Sequence, residues 1–146
     1  MNITKVTEGK KDYLALLLLA DESEEMIDSY LERGEMFVLK DDGIKAACVV
    51  TREADGVYEI KSIAVVPEHQ RKGYGKSLVA FVLSHYADAS EMLVGTGESA
   101  GVLGFYRGCG FAESHRIKNF FIDNYDHAMF EDGVQLVDMI YLKHAR

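Results

Sequence analysis

Cysteines and long apolar runs are both scarce in this sequence. The 146-residue chain has two cysteines, Cys48 and Cys109, which are too few for a disulfide framework, so a reducing cytoplasm is expected. The longest strongly apolar run, residues 13–20, has eight residues and is too short to cross a bilayer. The opening stretch, MNITKVTEGKK, lacks the layout of a signal peptide. The sequence therefore predicts a cytoplasmic protein without a membrane anchor.

The sequence also has no excess of basic over acidic residues. The formal net charge is −8 at pH 7, which argues against non-specific binding to nucleic acid or to anionic membranes. An acidic surface favours, to a small degree, a cationic or amine-bearing partner. Hydrophobic residues make up 48% of the chain and charged residues 27%, which is typical of a globular protein.

No linker-like stretch, long charge run or internal repeat divides the chain, so we predict one domain over residues 1–146. Apolar periodicity and turn residues predict a β-α-α-β-β-β-α-β-α-β-β order. This order favours an α/β fold in which a mixed, mostly antiparallel sheet has helices on both faces. The predicted strands are 2–7, 36–40, 44–52, 57–66, 91–94, 111–117 and 134–142, and the predicted helices are 10–20, 24–33, 75–87 and 99–107.

A glycine-containing loop, QRKGYGKS, joins a predicted strand to a predicted helix. It fails as a nucleotide-triphosphate P-loop because Gln70 replaces the first glycine, and as a dinucleotide fingerprint because Leu78 replaces the third. It fits a pyrophosphate-binding pattern, [QR]-x-x-G-x-[GA], over residues 70–75. Unpaired N–H groups at a helix start attract phosphate, and glycines allow close approach. A plain strand-to-helix turn remains the alternative.

Two stretches in sequence resemble the motifs of one enzyme family. IKSIAVVPEHQRKGYGKSLVAFVL, residues 60–83, is similar to the core acetyl-CoA motif of the GNAT N-acetyltransferases. GVLGFYRGCGF, residues 101–111, resembles the family's second motif. The resemblance covers essentially the whole chain and is strongest over residues 59–111. It implies the GNAT fold, acetyl-CoA as co-substrate and transfer of the acetyl group to an amine.

The resemblance also implies roles for particular residues. The coenzyme A pyrophosphate would be held by the loop, and the pantetheine arm and thioester by backbone groups of the preceding strand end. Tyr106 would protonate the departing thiolate, because a phenol can donate a proton at neutral pH. Ser99 is the expected further coenzyme contact. The predicted coenzyme-binding residues are Ile63, Ala64, Val65, Val66, Gln70, Arg71, Lys72, Gly73, Tyr74, Gly75, Lys76, Ser99 and Tyr106.

A general base must take a proton from an ammonium acceptor before its nitrogen can attack. Glu59 is one candidate, since alternation on the motif strand predicts that Glu59, Lys61, Ile63 and Val65 share a face. An exposed strand glutamate is the alternative. Glu98, just before a predicted helix, is a second candidate, and some family members use only ordered water. A catalytic cysteine is disfavoured because neither thiol has an evident activator, and the histidines show no metal-ligand spacing.

The connection over residues 118–133, KNFFIDNYDHAMFEDG, is longer than the family commonly has. We expect either a surface loop that buries its own aromatics or a wall over the acceptor pocket. The resemblance does not supply the acceptor, which could be a small-molecule or peptide amine. A homodimer is possible. Two functions remain as alternatives, namely a non-catalytic acyl-CoA-binding module on the same fold and a nucleotide-triphosphate-binding protein.

Overall fold

The computed structural model describes residues 1–145. Arg146, the last residue of the predicted domain, lies outside the described residues. The chain divides into two compact units, Met1–Ala89 and Ser90–Arg146. Among the described residues, no helix is both long and apolar enough to span a membrane.

The first unit contains four strands that pair antiparallel in the order in which they occur in the sequence. The sequence Asp41-Asp42-Gly43 is typical of a hairpin turn, and the turn is present: Asp42 and Gly43 have φ angles of 55° and 99°, as a tight hairpin turn requires. The elements are β1 Asn2–Val6, a 3-10 turn Lys10–Tyr13, α1 Leu14–Leu17, α2 Glu24–Leu31, β2 Glu35–Lys40, β3 Ile44–Ala54, β4 Val57–Val65, a 3-10 turn Pro67–His69 and α3 Tyr74–His85.

Helices cover both faces of the sheet in the first unit. On one face, Met36 and Val49 pack with buried residues of α1 and α2 such as Leu17 and Ile27. On the other face, Phe37 makes edge contacts with rings of α3, and its centroid lies 5.2 Å from that of Phe81. Alternation along β2 separates the two cores, since adjacent strand residues point to opposite faces.

The predicted helix over residues 10–20 is shorter in the structure. Its first part is the 3-10 turn, and α1 covers only Leu14–Leu17. The N–H of Leu19 bonds to the carbonyl of Leu16 at 3.1 Å, and that of Ala20 to Leu17 at 3.1 Å. Bonds that reach back three residues tighten and end a helix. The start of α2 is capped by Ser23, whose hydroxyl accepts from the Met26 N–H at 3.2 Å.

The second unit contains a three-stranded antiparallel sheet in the order β5-β9-β6 and a separate two-stranded hairpin. The strand predicted over 134–142 is in fact two strands, β8 and β9. The elements are β5 Glu91–Gly97, α4 Ala100–Gly108, β6 Ala112–Ile117, α5 Phe120–Asn124, β7 Phe130–Glu131, β8 Val134–Gln135 and β9 Met139–Ala145.

The 118–133 connection is folded, although an irregular loop was expected. It contains α5 and β7, and its hairpin turns at Asp132 and Gly133, whose φ angles are 50° and 78°. Phe121 lies in a small buried cluster with Met129 and Leu136. These contacts support the interpretation of a segment that buries its own aromatics, whereas Phe130 remains 60% exposed.

Candidate active site

The loop between β4 and α3 has the backbone geometry of an anion-binding helix start. Arg71 and Gly73 have φ angles of 63° and 86°, and Gly73 directly precedes α3. The first helical bond runs from the Ser77 N–H to the Gly73 carbonyl at 2.9 Å. The N–H groups before Ser77 have no partner within the helix and point out of its end.

The chemistry around this helix start favours an anion. No side chain caps α3, and its first turn carries no acidic residue. Gln70, Arg71, Lys72 and Lys76 are all exposed. Free N–H groups, the helix dipole and three cations together favour a negatively charged ligand such as phosphate at this helix start.

Side-chain contacts hold the loop against the rest of the first unit. The Tyr74 hydroxyl donates to Asp41 Oδ2 at 2.8 Å, and this bond lowers the pKa of Asp41. The Gln70 amide donates to the Val65 carbonyl at 3.3 Å. The Val66 N–H donates to the Lys45 carbonyl at 2.9 Å. The side chains of Tyr74 and Gln70 therefore hold the loop in its conformation. The coenzyme contacts predicted for these two residues remain predictions.

A β-bulge interrupts β4 within the predicted motif. Ser62 lies opposite Val49 on β3, and Ile60 lies opposite Val50. Lys61 is therefore an extra residue with no partner on β3. Bulges of this kind often occur next to active sites, where they redirect a side chain.

The bulge overturns the predicted arrangement of the motif strand. Glu59 lies opposite Thr51, and Ile63 lies opposite Cys48. Because Thr51 and Cys48 are three residues apart on β3, they point to opposite faces, and so do Glu59 and Ile63. Thr51 and Val49 both approach Gly34, which follows α2. The prediction that Glu59 shares a face with Ile63 and Val65 is wrong, and Glu59 faces the α1/α2 side.

Glu59 is buried, with an exposed fraction of 6%, so the alternative of a solvated strand glutamate does not hold. Its Oε2 lies 3.2 Å from Lys61 Nζ, and Lys61 also lies 3.9 Å from Glu53. Glu53 accepts from Thr51 Oγ1 at 2.7 Å and from Arg33 at 2.9 Å. The Glu59 carboxylate is thus buried beside the Lys61 ammonium group, and a carboxylate is a common general base in enzymes. Sequence reasoning missed Lys61 because nothing in the residue pattern marks the bulge.

The second unit contains the other predicted site residues, Ser99 and Tyr106. Tyr106 is 4% exposed and makes edge contacts with Phe105 and Phe111, whose ring centroids lie 5.1 Å and 5.8 Å away. Ser99 is buried at the start of α4, and its hydroxyl donates to Asp132 Oδ2 at 3.4 Å. The 118–133 segment therefore reaches the start of α4.

Glu98, the second candidate base, has a different environment. Its side chain is 54% exposed and lies 3.4 Å from Arg116. Arg116 also pairs with Asp138 at 2.9 Å. An exposed ion pair holds its side chains only weakly in place, so this environment favours a surface role for Glu98.

Potential metal ligands and the Cys48 thiol are the remaining groups with possible chemistry. Within residues 1–145, no three histidine, cysteine or acidic side chains are grouped to hold a metal ion. Cys48 is buried, and burial raises the pKa of its thiol to about 12, so it is not a nucleophile at neutral pH.

Comparison with known proteins gives consistent matches. The family model for an acetyltransferase (GNAT) domain matches residues 32–113. The chain is 38% identical over 139 residues to YvbK of Bacillus subtilis (strain 168), described as an uncharacterized N-acetyltransferase, covering 92% of this chain and 90% of the relative.

Two solved structures extend these matches to the fold. A GNAT family acetyltransferase from Elizabethkingia anophelis with acetyl-CoA bound has a TM-score of 0.94 and 36% identity, covering 99% of this chain and 97% of that one. A Bacillus subtilis acetyltransferase in complex with CoA has a TM-score of 0.92 and 34% identity, covering 99% and 98%. The predicted α/β fold is thereby confirmed.

Proposed function

Because this chain belongs to the GNAT acetyltransferase family, we propose that it transfers the acetyl group of acetyl-CoA directly to a primary amine of a small molecule or peptide. Its class as an acetyl-CoA-dependent N-acetyltransferase follows from the family match over residues 32–113 and from similar structures that contain CoA or acetyl-CoA. The amine acceptor and the residue roles are the parts that need testing.

One observation carries the proposal. The uncapped start of α3 lies beside exposed cations, which supports a pyrophosphate site there, and the buried carboxylate of Glu59 lies on β4, the strand that leads into this loop. A nucleotide-triphosphate P-loop would need a glycine at position 70, where this chain has Gln70. The combination favours acyl transfer over simple phosphate binding.

In the proposed reaction, Glu59 accepts a proton from the ammonium form of the acceptor. The neutral nitrogen then attacks the thioester carbonyl and forms a tetrahedral intermediate. The C–S bond breaks and the leaving thiolate takes a proton from the Tyr106 hydroxyl. The nitrogen loses its second proton to solvent as the amide forms, and solvent returns a proton to the Tyr106 phenolate. A backbone N–H near Val65 is proposed to stabilise the oxyanion. No covalent enzyme intermediate is involved.

Further aspects of the proposal concern the protein as a whole. We propose that residues 1–146 act as a single GNAT domain, because the family match includes residues of both units. A chain with two cysteines, too few for a disulfide framework, supports a cytoplasmic location. The bacterial relatives support a bacterial source. The net charge of −8 supports a partner other than nucleic acid, and a homodimer is compatible with the proposal.

An acetyl-transfer screen tests the proposed function. Acetyl-CoA is incubated with a monoamine, a polyamine, an aminoglycoside and a lysine peptide, and free coenzyme A thiol is followed. We expect at least one amine to raise thiol release well above slow hydrolysis, with an acetylated product of the matching mass. Acetyl-CoA binding without stimulation by any amine class would instead favour the non-catalytic acyl-CoA-binding module.

Replacement of Tyr106 by phenylalanine tests the general acid. The ring packs against Phe105 and Phe111, so phenylalanine should preserve the fold and acetyl-CoA binding. We expect kcat to fall by about 10-fold to 100-fold, in the lower range for loss of a general acid. Phe105→Leu is the control, because it alters the same aromatic cluster but keeps the hydroxyl. Full turnover by Tyr106→Phe would remove Tyr106 from the mechanism.

A further inference from the structure

Lys61 occupies an unusual position for a lysine. It is the extra residue of the β4 bulge, and its side chain is only 21% exposed. A regular strand would give residue 61 a cross-strand partner and would keep the strict alternation of the neighbouring side chains. The bulge instead places the Lys61 ammonium group beside two carboxylates on the α1/α2 side of the sheet.

The Lys61 ammonium group belongs to a row of charged side chains. Lys61 Nζ lies 3.2 Å from Glu59 Oε2 and 3.9 Å from Glu53 Oε1. Glu53 is held by Thr51 and Arg33. Burial raises the pKa of Glu53, whereas the hydrogen bonds from Thr51 and Arg33 lower it. The lowering is larger, so the pKa of Glu53 lies below its usual value. The charges therefore alternate in sign from Arg33 through Glu53 and Lys61 to Glu59.

The geometry points to Lys61 as a positioning residue for catalysis, which holds the Glu59 carboxylate ionised and oriented as the base. This inference rests on the proposed function, in which Glu59 is the base. A carboxylate buried without a cation beside it takes up a proton or turns toward solvent, and in either state it accepts no proton from the substrate. Thr51 and Arg33 hold Glu53 by hydrogen bonds, and Glu53 in turn helps to keep Lys61 in place.

Substitution of Lys61 by methionine tests the inference. Methionine keeps the length and apolar stem of the side chain but removes the charge. With the fastest panel amine, or with acetyl-CoA hydrolysis if none turns over, we expect kcat to fall at least about tenfold, since small misplacement of a catalytic group has large effects. The acetyl-CoA Kd should remain unchanged. Lys61→Arg, which keeps the charge, should stay within about threefold of wild type.

A double-mutant cycle separates action through Glu59 from a general structural effect. If Lys61 acts through Glu59, then Lys61→Met should reduce kcat little further in a Glu59→Gln background, because coupled residues are not additive. Lys11→Met is the matched control, since Lys11 also lies between two carboxylates, Glu24 and Asp28, at 2.6 Å each. That variant should retain wild-type kcat.

The outcomes distinguish this inference from the proposed function. If Glu59→Gln lowers kcat and folded Lys61→Met does not, the positioning role is overturned and the proposed base stands. If Glu59→Gln has no effect, the proposed base is wrong and the inference is overturned with it. Equal losses from Lys61→Met in both backgrounds, or no rescue by Lys61→Arg, would also overturn it. If Lys61→Met does not fold, Lys61→Gln is measured with the same expectations.

Discussion

Replacement of Gly73 by aspartate is expected to abolish acetyl-CoA binding in a protein that still folds. Gly73 has φ and ψ of 86° and 3° directly before α3. A Cβ at this position meets no atom within 4 Å, so the new side chain would extend into the space above the helix start. Its carboxylate would repel the pyrophosphate and compete for the same N–H groups.

Gly73→Asp is expected to change acetyl-CoA affinity much more than the free energy of unfolding. A charge-assisted hydrogen bond contributes about 1.5–3 kcal/mol, so losing one would raise the Kd for acetyl-CoA about 10-fold to 150-fold, and losing two would raise it about 150-fold or more. A left-handed backbone costs a non-glycine residue about 1–2 kcal/mol, but aspartate tolerates it better than most and interacts favourably with the helix dipole. Isothermal titration calorimetry and denaturant unfolding measure the two effects separately.

Two control variants separate charge from shape and position. Gly73→Asn has nearly the same shape without the charge, and it should weaken binding less than aspartate. Gly133→Asp adds the same charge at another glycine with positive φ, 78°, and open surroundings, and it should bind acetyl-CoA like wild type. Tight binding by folded Gly73→Asp would overturn the assignment of this loop to the pyrophosphate.

Features that depend on local sequence were predictable. The Asp41-Asp42-Gly43 turn, the Ser23 cap and the start of α3 near Gly73 each depend on a few adjacent residues. Turn and cap preferences act at this range, so they are visible in the sequence. The glycine loop could therefore be identified, together with its place between a strand and a helix.

Features that depend on residues far apart in the sequence could not be predicted from local sequence patterns. The bulge at Lys61 exists because β4 pairs with β3 in a shifted register, and no residue within β4 marks it. Burial of Glu59 follows from this register and from packing on the α1/α2 side. The 118–133 segment likewise folds around Leu136, which lies beyond it in sequence. Tertiary packing, rather than local preference, decides these elements.

Replacement of Glu59 by glutamine is expected to lower kcat/KM for the amine about 100-fold to 1000-fold at neutral pH. Glutamine has almost the same shape but cannot accept the ammonium proton. An alkylamine with a pKa of about 10.4 is neutral in only about 1 molecule in 2,500 at pH 7, so the base matters most there. The acetyl-CoA Kd should not change. The deficit should shrink as pH rises, because solvent then deprotonates more of the amine.

The choice among Glu59, Glu98 and water as the base can be decided with one matched variant. Glu98→Gln removes a carboxylate that is exposed and paired with Arg116, and we expect its kcat/KM to equal that of wild type at every pH. A loss confined to Glu98→Gln would transfer the role to Glu98. Wild-type rates in both variants would leave water as the base, and the buried Glu59–Lys61 pair would then be structural. Only a pH-dependent loss confined to Glu59→Gln supports the role that its burial suggests.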